Sequence, residues 1–378
     1  MAANAPSAPA PTAAASDART RRQGSRIVDV DIHNTVPSHE ALDPYLTQDW
    51  IRHRSVHGLR GYYGNAARDI YPKGNPQAAR IDAWPPSGAP PGSDLPFMQE
   101  QHLDRLDVQY GILNPLYPAA SQRNVEFGAA LARAVNDWQV AEWLEKEPRL
   151  RASIVVPYEA PDLAAEEIRR VAGDGRFVQV LFLVRTSAPL GDRRYWPVFE
   201  AAQEHGLPIG MHFGGLGGIP ITGVGWPSYY IEDHTGMAQA FQAQLVSLGY
   251  SGVFERFPDL QVILLEGGIA WAASLMWRLD ATWRVLGSEL PGLRKPPSAY
   301  LREHVWFSTQ PIEEPPKREQ FVQMLDHLGG TDRLLFATDY PHWDFDEPSR
   351  TFPVKLDAEA SDAVFGGNAR RLYGLEDG

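Results

Sequence analysis

Residues 27–33 read IVDVDIH, and this run decides how the rest of the chain is read. Its first five residues, Ile27–Asp31, alternate β-branched apolar side chains with acids, the pattern of an extended strand. Asp31 and His33 flank Ile32, so in an extended chain their side chains point the same way. A strand that ends in a carboxylate and an imidazole on one face offers two metal donors at its terminus. Asp-x-His alone is a common pairing. The question is whether other strands end similarly.

Working outward, seven more apolar or β-branched runs follow, each with a helical pattern behind it. The strands are expected at Tyr110–Leu113, Ala152–Val156, Phe177–Leu183, Pro208–His212, Gln261–Leu265, Val305–Ser308 and Leu334–Ala337. The helices are expected near residues 125–144, 161–171, 196–205, 237–254, 270–285, 317–328 and 358–365. Buried strands alternating with amphipathic helices imply a parallel sheet, and eight such units favour closure into a (β/α)8 TIM barrel over an open sheet. No GxGxxG follows the first strand, which weakens a dinucleotide-binding reading. The interval 34–108 is far longer than a βα connection and is read as an insertion. It carries Tyr62, Tyr63, Tyr71 and Trp84-Pro85-Pro86. A second long connection, 213–236, is rich in glycine and aromatics. Both follow strand C-termini, so both belong on the catalytic face of a barrel.

The strand ends collect chemistry. His212 ends the fifth, Glu266 the sixth, and Asp339 follows the eighth in Ala337-Thr338-Asp339-Tyr340-Pro341-His342. Independent accidents rarely put such groups on one barrel mouth. Asp31, His33, His212 and Asp339 are therefore the expected metal ligands, for one divalent ion, Zn²⁺ first and Mn²⁺ second. Glu266 and His234 are the further catalytic candidates beside Asp339. Arg185, at the end of the fourth strand, and His342 and Trp343 are candidate substrate contacts.

Composition bounds the rest. A net charge of −12 argues against nucleic acid or an anionic membrane as partner, and leaves a small molecule. The chain has no cysteine, so thiolate chemistry and disulfides are excluded, which is compatible with the cytoplasm. Residues 1–24 are Ala/Pro/Ser-rich and expected to be disordered; residues 25–378 are expected to form one domain.

Four segments carry a family resemblance: DVDIH at 29–33, LPIGMHFGG at 207–215, GVFERFPDLQVILLEGGIAW at 252–271 and LLFATDYPHWDFDEP at 334–348. Together with GGNARRLYGL at 366–375 they resemble the amidohydrolase superfamily, in the branch of aminocarboxymuconate semialdehyde decarboxylase and the aromatic-acid decarboxylases. The resemblance implies a (β/α)8 barrel with one catalytic zinc or manganese and a homo-oligomer. It makes His33 and His212 metal ligands, and Asp339 both a ligand and the acid/base. Two positions depart from the pattern. Asp31 stands where the superfamily often has histidine, and Glu266 stands where the sixth strand usually carries the catalytic histidine.

The leading expectation for the reaction is metal-assisted hydrolysis of a small organic acid, amide, lactone or ring-cleavage product. Metal-bound water would attack, and Asp339 would move its proton. The alternative is non-oxidative decarboxylation of an aromatic or muconate-like acid, with Asp339 protonating the carbon that loses CO2. A catalytically silent barrel that only binds is the third class, and an intact donor set speaks against it.

Overall fold

The structure is a computed structural model and describes residues 27–59, 78–215, 220 and 222–376. The amino-terminal tail 1–24 lies outside the described residues, as do Tyr62, Tyr63 and Tyr71 of the insertion. Eight strands follow one another in chain order around a single parallel sheet. They are β1 (Ile27–Ile32), β2 (Val108–Leu113), β3 (Leu150–Val155), β4 (Phe177–Arg185), β5 (Ile209–Gly215), β6 (Val262–Leu265), β7 (Val305–Ser308) and β8 (Leu334–Leu335). This is the (β/α)8 TIM barrel expected from the repeated strand-then-helix pattern.

Two apolar clusters divide the work. The larger fills the space between the strands and the outer helices. A smaller one, with Val28, Val30, Ile112, Ile263, Leu265, Leu335 and Ala337, lies on the inward side of the strands. Ala369, Leu372, Tyr373 and Leu375 join this inner cluster, so the carboxy-terminal segment plugs the barrel. Arg370 reaches Gln109 at the start of β2, which places that plug at the N-terminal ends of the strands. The opposite end is left for chemistry.

Beyond the two residues of β8 the chain continues to zip against β1. Val30 N–H donates to the Phe336 carbonyl at 3.0 Å, Asp339 N–H to that of Asp31 at 3.1 Å, and His33 N–H to that of Tyr340 at 2.7 Å. These bonds close the ring. In β1 the pairing steps from Asp29 opposite Gly111 to Ile32 opposite Leu113, so three steps on β1 match two on β2. The extra residue resets the alternation of faces. Val28 and Val30 pack inside the barrel, Ile32 turns to the outer core, and Asp31 and His33 turn to the mouth.

Where the structure differs from the pattern reading, tertiary packing is the reason. The described part of the insertion is not bare loop: it contains a helix Gln48–His57 and another at Leu95–Met98 that runs on into a π-turn at Gln99–Asp104. Met98, His102 and Leu103 are fully buried. The helix expected over 237–254 is two pieces, Ala238–Tyr250 and Val253–Arg256, the second preceded by Gly252 at φ 78°, and the connection before it ends in a further short helix, Tyr230–Gly236. Helix Pro297–His304 precedes β7 and was not expected from periodicity. Among the described residues no helix is long and apolar enough to cross a membrane.

Buried Asp29 ties the seam to the insertion. Its Oδ1 accepts the Thr338 N–H at 3.0 Å and the Asp31 N–H at 3.2 Å. Its Oδ2 accepts the Thr338 hydroxyl at 2.6 Å and faces His102 Nε2 at 2.8 Å. Both Asp29 and His102 are fully buried. Breaking one side of such a pair strands a buried charge. His102→Leu should therefore lower unfolding free energy by about 3–5 kcal/mol, read as a lower denaturation midpoint in urea at unchanged slope.

Candidate metal centre

The mouth of the barrel gathers Asp31, His33, His212 and Asp339, all buried, with one ligand atom from each lying within 4.8 Å of the others. His33 Nε2 is 2.7 Å from Asp339 Oδ1 and 3.5 Å from Asp31 Oδ1, and His212 Nε2 is 3.3 Å from Asp31 Oδ2. Donors held about 2.1 Å from one ion stand roughly 3.0–3.4 Å apart, so the set is spaced close to what a single metal needs.

The imidazoles are oriented from behind. His33 Nδ1 is 2.9 Å from the Asn114 carbonyl, and His212 Nδ1 is 2.7 Å from the Phe213 carbonyl. A carbonyl only accepts, so each Nδ1 carries the proton and each Nε2 faces the centre. Three buried atoms there lack a hydrogen-bond partner: Asp31 Oδ2, His212 Nε2 and Asp339 Oδ2. Buried polar atoms are rarely left so. Converging lone pairs without donors fit a divalent cation.

Electrostatics agree. Burial works against a charged His33, yet Asp31 and Asp339 overcome it and raise its pKa to about 9. Burial also opposes a charged Asp339, but His342 and His33 hold its carboxyl well below the usual range. Asp339 Oδ1 accepts from His342 Nδ1 at 2.7 Å as well as from His33, and the two imidazoles stack at 4.3 Å. Asp339 and Glu266 have φ of 61° and 64°, values that non-glycine residues seldom hold. Strain kept at two strand ends marks backbone shaped to place those side chains.

Beneath the donors lies a buried polar layer that the sequence reading missed. Asn114 Nδ2 donates to Asp31 Oδ1 at 2.8 Å. Asn114 Oδ1 accepts from Ser153 Oγ at 2.5 Å and from Gln179 Nε2 at 2.9 Å. The Tyr373 hydroxyl, from the plug, donates to Gln179 Oε1 at 2.9 Å. An unbroken line of hydrogen bonds thus runs from the bottom of the barrel to Asp31 in the candidate donor set. A signal for it exists at Gly210, where a Cβ would sit 2.9 Å from the Gln179 carboxamide.

The remaining sequence candidates fall as follows. Glu266 is buried with Oε2 3.4 Å from His212 Nε2. Burial, then Asp339, Asp344, Asp31 and Asp233, push its pKa well above the carboxylate range. His234 reaches the mouth through Asp344, 3.0 Å from Nε2 to Oδ2. Trp343 lies against the His234 ring at 5.0 Å and its indole N–H donates to the Tyr230 hydroxyl. Arg185 engages the C-terminal end of β5, with Nε donating to the Gly214 carbonyl at 3.2 Å. Asp344, Asp233 and Gln310 belong to the mouth and were missed; Asp344 and Gln310 sit in irregular segments with no period to reveal them, and Asp233 sits in the short helix Tyr230–Gly236.

A closed parallel barrel with a buried imidazole–carboxylate donor set at the strand C-termini defines a metal-dependent enzyme of the amidohydrolase superfamily. The sequence model of the amidohydrolase family matches residues 28–375, and the chain belongs to that family. A gamma-resorcylate decarboxylase from Polaromonas sp. is 27% identical over 318 residues, covering 76% of this chain and 93% of the relative. The crystal structure of a 5-carboxyvanillate decarboxylase from Sphingomonas paucimobilis superposes with a TM-score of 0.66 at 23% identity, covering 93% of this chain and all of that one. A Polaromonas dihydroxybenzoic acid decarboxylase with bound manganese and 2-nitroresorcinol gives 0.63 at 20% identity, covering 94% and 98%. These relatives are decarboxylases, which overturns the expectation of hydrolysis. Bound water and a chelating substrate use the same ligands, so the ligands alone could not separate the two reactions.

Metal should bind more weakly as pH falls, because a proton on His33 competes with the ion. The metal-free pKa of about 9 sets the sign: affinity rises with pH and levels off above that value. The expected slope is roughly tenfold per pH unit between pH 7 and 9, measured by competition with a chromophoric chelator.

Proposed function

We propose that the protein is a metal-dependent, non-oxidative decarboxylase of a hydroxylated aromatic acid. The observation that carries the reading is Asp339, strained, buried and shared between the donor set and His342. The decarboxylase relatives support it from outside. Asp31, His33, His212 and Asp339 would hold the ion. When bound, the ion supplies Lewis-acid charge that draws in a carboxylate and a neighbouring phenolic oxygen. Two carboxylates in the set suit Mn²⁺ as well as Zn²⁺, and the manganese in the Polaromonas relative favours Mn²⁺ here.

The chain's own groups handle the proton. Decarboxylation exchanges one proton for CO2 at a ring carbon: the new C–H bond forms, then the C–C bond breaks and its electron pair returns to the ring. Asp339 lies between the donor set and His342, and His342 is the more exposed of the pair. The proton reaches the ring carbon along His342 and Asp339, and His342 recovers it from the mouth. Trp343, Tyr230 and His234 form an aromatic wall there, suited to a flat ring. Gly92 brings the insertion over the site: a Cβ at this residue, at φ 77°, would lie 2.3 Å from the His33 carbonyl. The insertion thus narrows the mouth around a small substrate.

A panel of hydroxybenzoates and carboxylated methoxyphenols tests the reading. The expected result is stoichiometric CO2 with no oxygen from labelled water in the aromatic product. Solvent oxygen in the product, from any carboxylate ester, lactone or amide turned over faster than the acids, would overturn it.

Asp339→Asn keeps shape but loses the proton acceptor. Turnover should fall roughly 10²–10⁴-fold, with the near-ultraviolet circular dichroism of the folded state unchanged.

A further inference from the structure

Away from the mouth, the outer layer of the barrel holds a cavity of about 120 Å³. Its walls are the buried side chains of Leu245, Met276, Leu301, Val305 and Phe307, from helices Ala238–Tyr250, Ala270–Leu286 and Pro297–His304 and from β7. Exposed Arg302, Gly329 and Gly330 line it too, so it opens to the surface. Val305 begins β7 and Arg333, also in the lining, stands just before β8. This end of the cavity therefore lies by the N-terminal ends of the strands, away from the metal donors. Apolar interiors rarely leave hollows of this size, because the walls forfeit contacts across them.

The polar part of the lining is cationic. Arg302 donates from Nη1 to the Leu328 carbonyl at 2.7 Å and from Nη2 to that of His327 at 3.2 Å, at the end of helix Arg318–Leu328. A Cβ at Gly329, whose φ is 108°, would lie 2.7 Å from that Nη1, so the turn and the guanidinium are fitted to each other. Arg333 is half-buried and donates from Nη1 to Gln261 Oε1 at 3.0 Å; its remaining N–H groups have no protein acceptor among the described residues. Its guanidinium is 4.4 Å from the centre of the Trp306 ring, and that of Arg371 is 5.5 Å from the same ring. Arg371 is bonded to the Asp332 carbonyl and to Asn368 Oδ1. Among the described residues none of these three arginines forms an ion pair with a carboxylate.

That concentration of charge stands out in a chain of net charge −12. Burial, then the charge of Arg371, hold the pKa of Arg333 below the ordinary arginine value despite Asp332 and Glu303. An anion at the rim would offset this repulsion and accept from the open N–H groups of Arg333. An apolar cavity of roughly 150 Å³ is known to take up a benzene ring, so the hollow beneath the arginines suits a slightly smaller body.

We propose that this cavity is a binding site for a small carboxylic acid with an apolar body of about five or six carbons. The body would lie against Met276 and Leu301, and the carboxylate against Arg333 and Arg302. The site shares no residue with the metal centre, so its ligand leaves the barrel mouth open.

The probe is cyclopentanecarboxylate, titrated calorimetrically into the full-length, metal-loaded protein. A Kd of about 1 mM or tighter is expected for a ligand of so few atoms. Cyclopentylmethanol has the same body without the charge and should bind roughly tenfold or more weakly. Arg333→Gln should weaken the carboxylate by a similar factor, and Ala272→Leu, which fills the cavity from helix Ala270–Leu286, should abolish its binding; both should keep the metal content of the wild type. No binding by the wild type overturns the proposal, and so does equal binding of acid and alcohol. Binding that both variants retain and a chelator removes belongs to the metal centre and equally overturns it. If the face is an interface between copies of the chain, the acid does not bind and Arg333→Gln lowers the mass seen in sedimentation, which also overturns it. Should Ala272→Leu fail to fold, as circular dichroism would show, Arg333→Gln and the alcohol still decide.

Discussion

The barrel depends on one seam, where β1 meets the segment after β8. Closing an eight-stranded ring leaves a single pair of strands that are remote in sequence, and here they are joined by backbone bonds from Val30, His33 and Asp339. Three of the four clustered candidate donors sit on that seam. Fold closure and site assembly are therefore one event, because the bonds that remove the open edges also set Asp31, His33 and Asp339 facing one another. Asp29 secures the seam from the outer side by taking two bonds from Thr338 and one contact from His102. A buried carboxylate is tolerated there because every lone pair in use has a donor.

The slip in register along β1 is the device that makes the seam serve chemistry. Without it, Val28, Val30 and Ile32 would all face the barrel interior, and Asp31 would face the outer helices. One extra residue lets apolar side chains fill the lower barrel and polar ones line the upper. The strained backbone at Asp339 and Glu266 acts in the same sense at the other strand ends. Each pulls a side chain back over the mouth at a conformational cost of order 1–3 kcal/mol that the packed surroundings offset.

Much of this was legible in the residues. Buried strands of a parallel sheet are continuous apolar runs, so all eight appear in the sequence within a few residues of their bounds. The gathering of Asp31, His33, His212 and Asp339 was legible too, since strand ends in a barrel share one mouth and all four fall at such ends. Hidden from view was whatever depends on residues meeting across the fold. Asn114, Ser153 and Gln179 read as ordinary polar interruptions, and only their mutual contacts show them to be a layer. Asp344 and Gln310 lie in irregular segments, where no period exists to read. The reaction was obscured for a chemical reason: the same four donors serve an attacking water or a chelated acid, and the distinction lies in a substrate that the chain does not encode locally. Glu266 deepened the ambiguity by standing where the branch places an imidazole.

The line from Tyr373 through Gln179 and Asn114 to Asp31 has a consequence for how the molecule is made. Tyr373 leaves the ribosome more than three hundred residues after Asp31. Until that tyrosine is in place, the Gln179 amide lacks one of its anchors and the barrel lacks its plug. Asp339 likewise emerges only after all eight strands have been made. A nascent chain can therefore lay down strands in order while holding no finished metal site. Loading with metal becomes a late step of biogenesis, and a stalled or truncated chain exposes carboxylates that have not yet met their imidazoles.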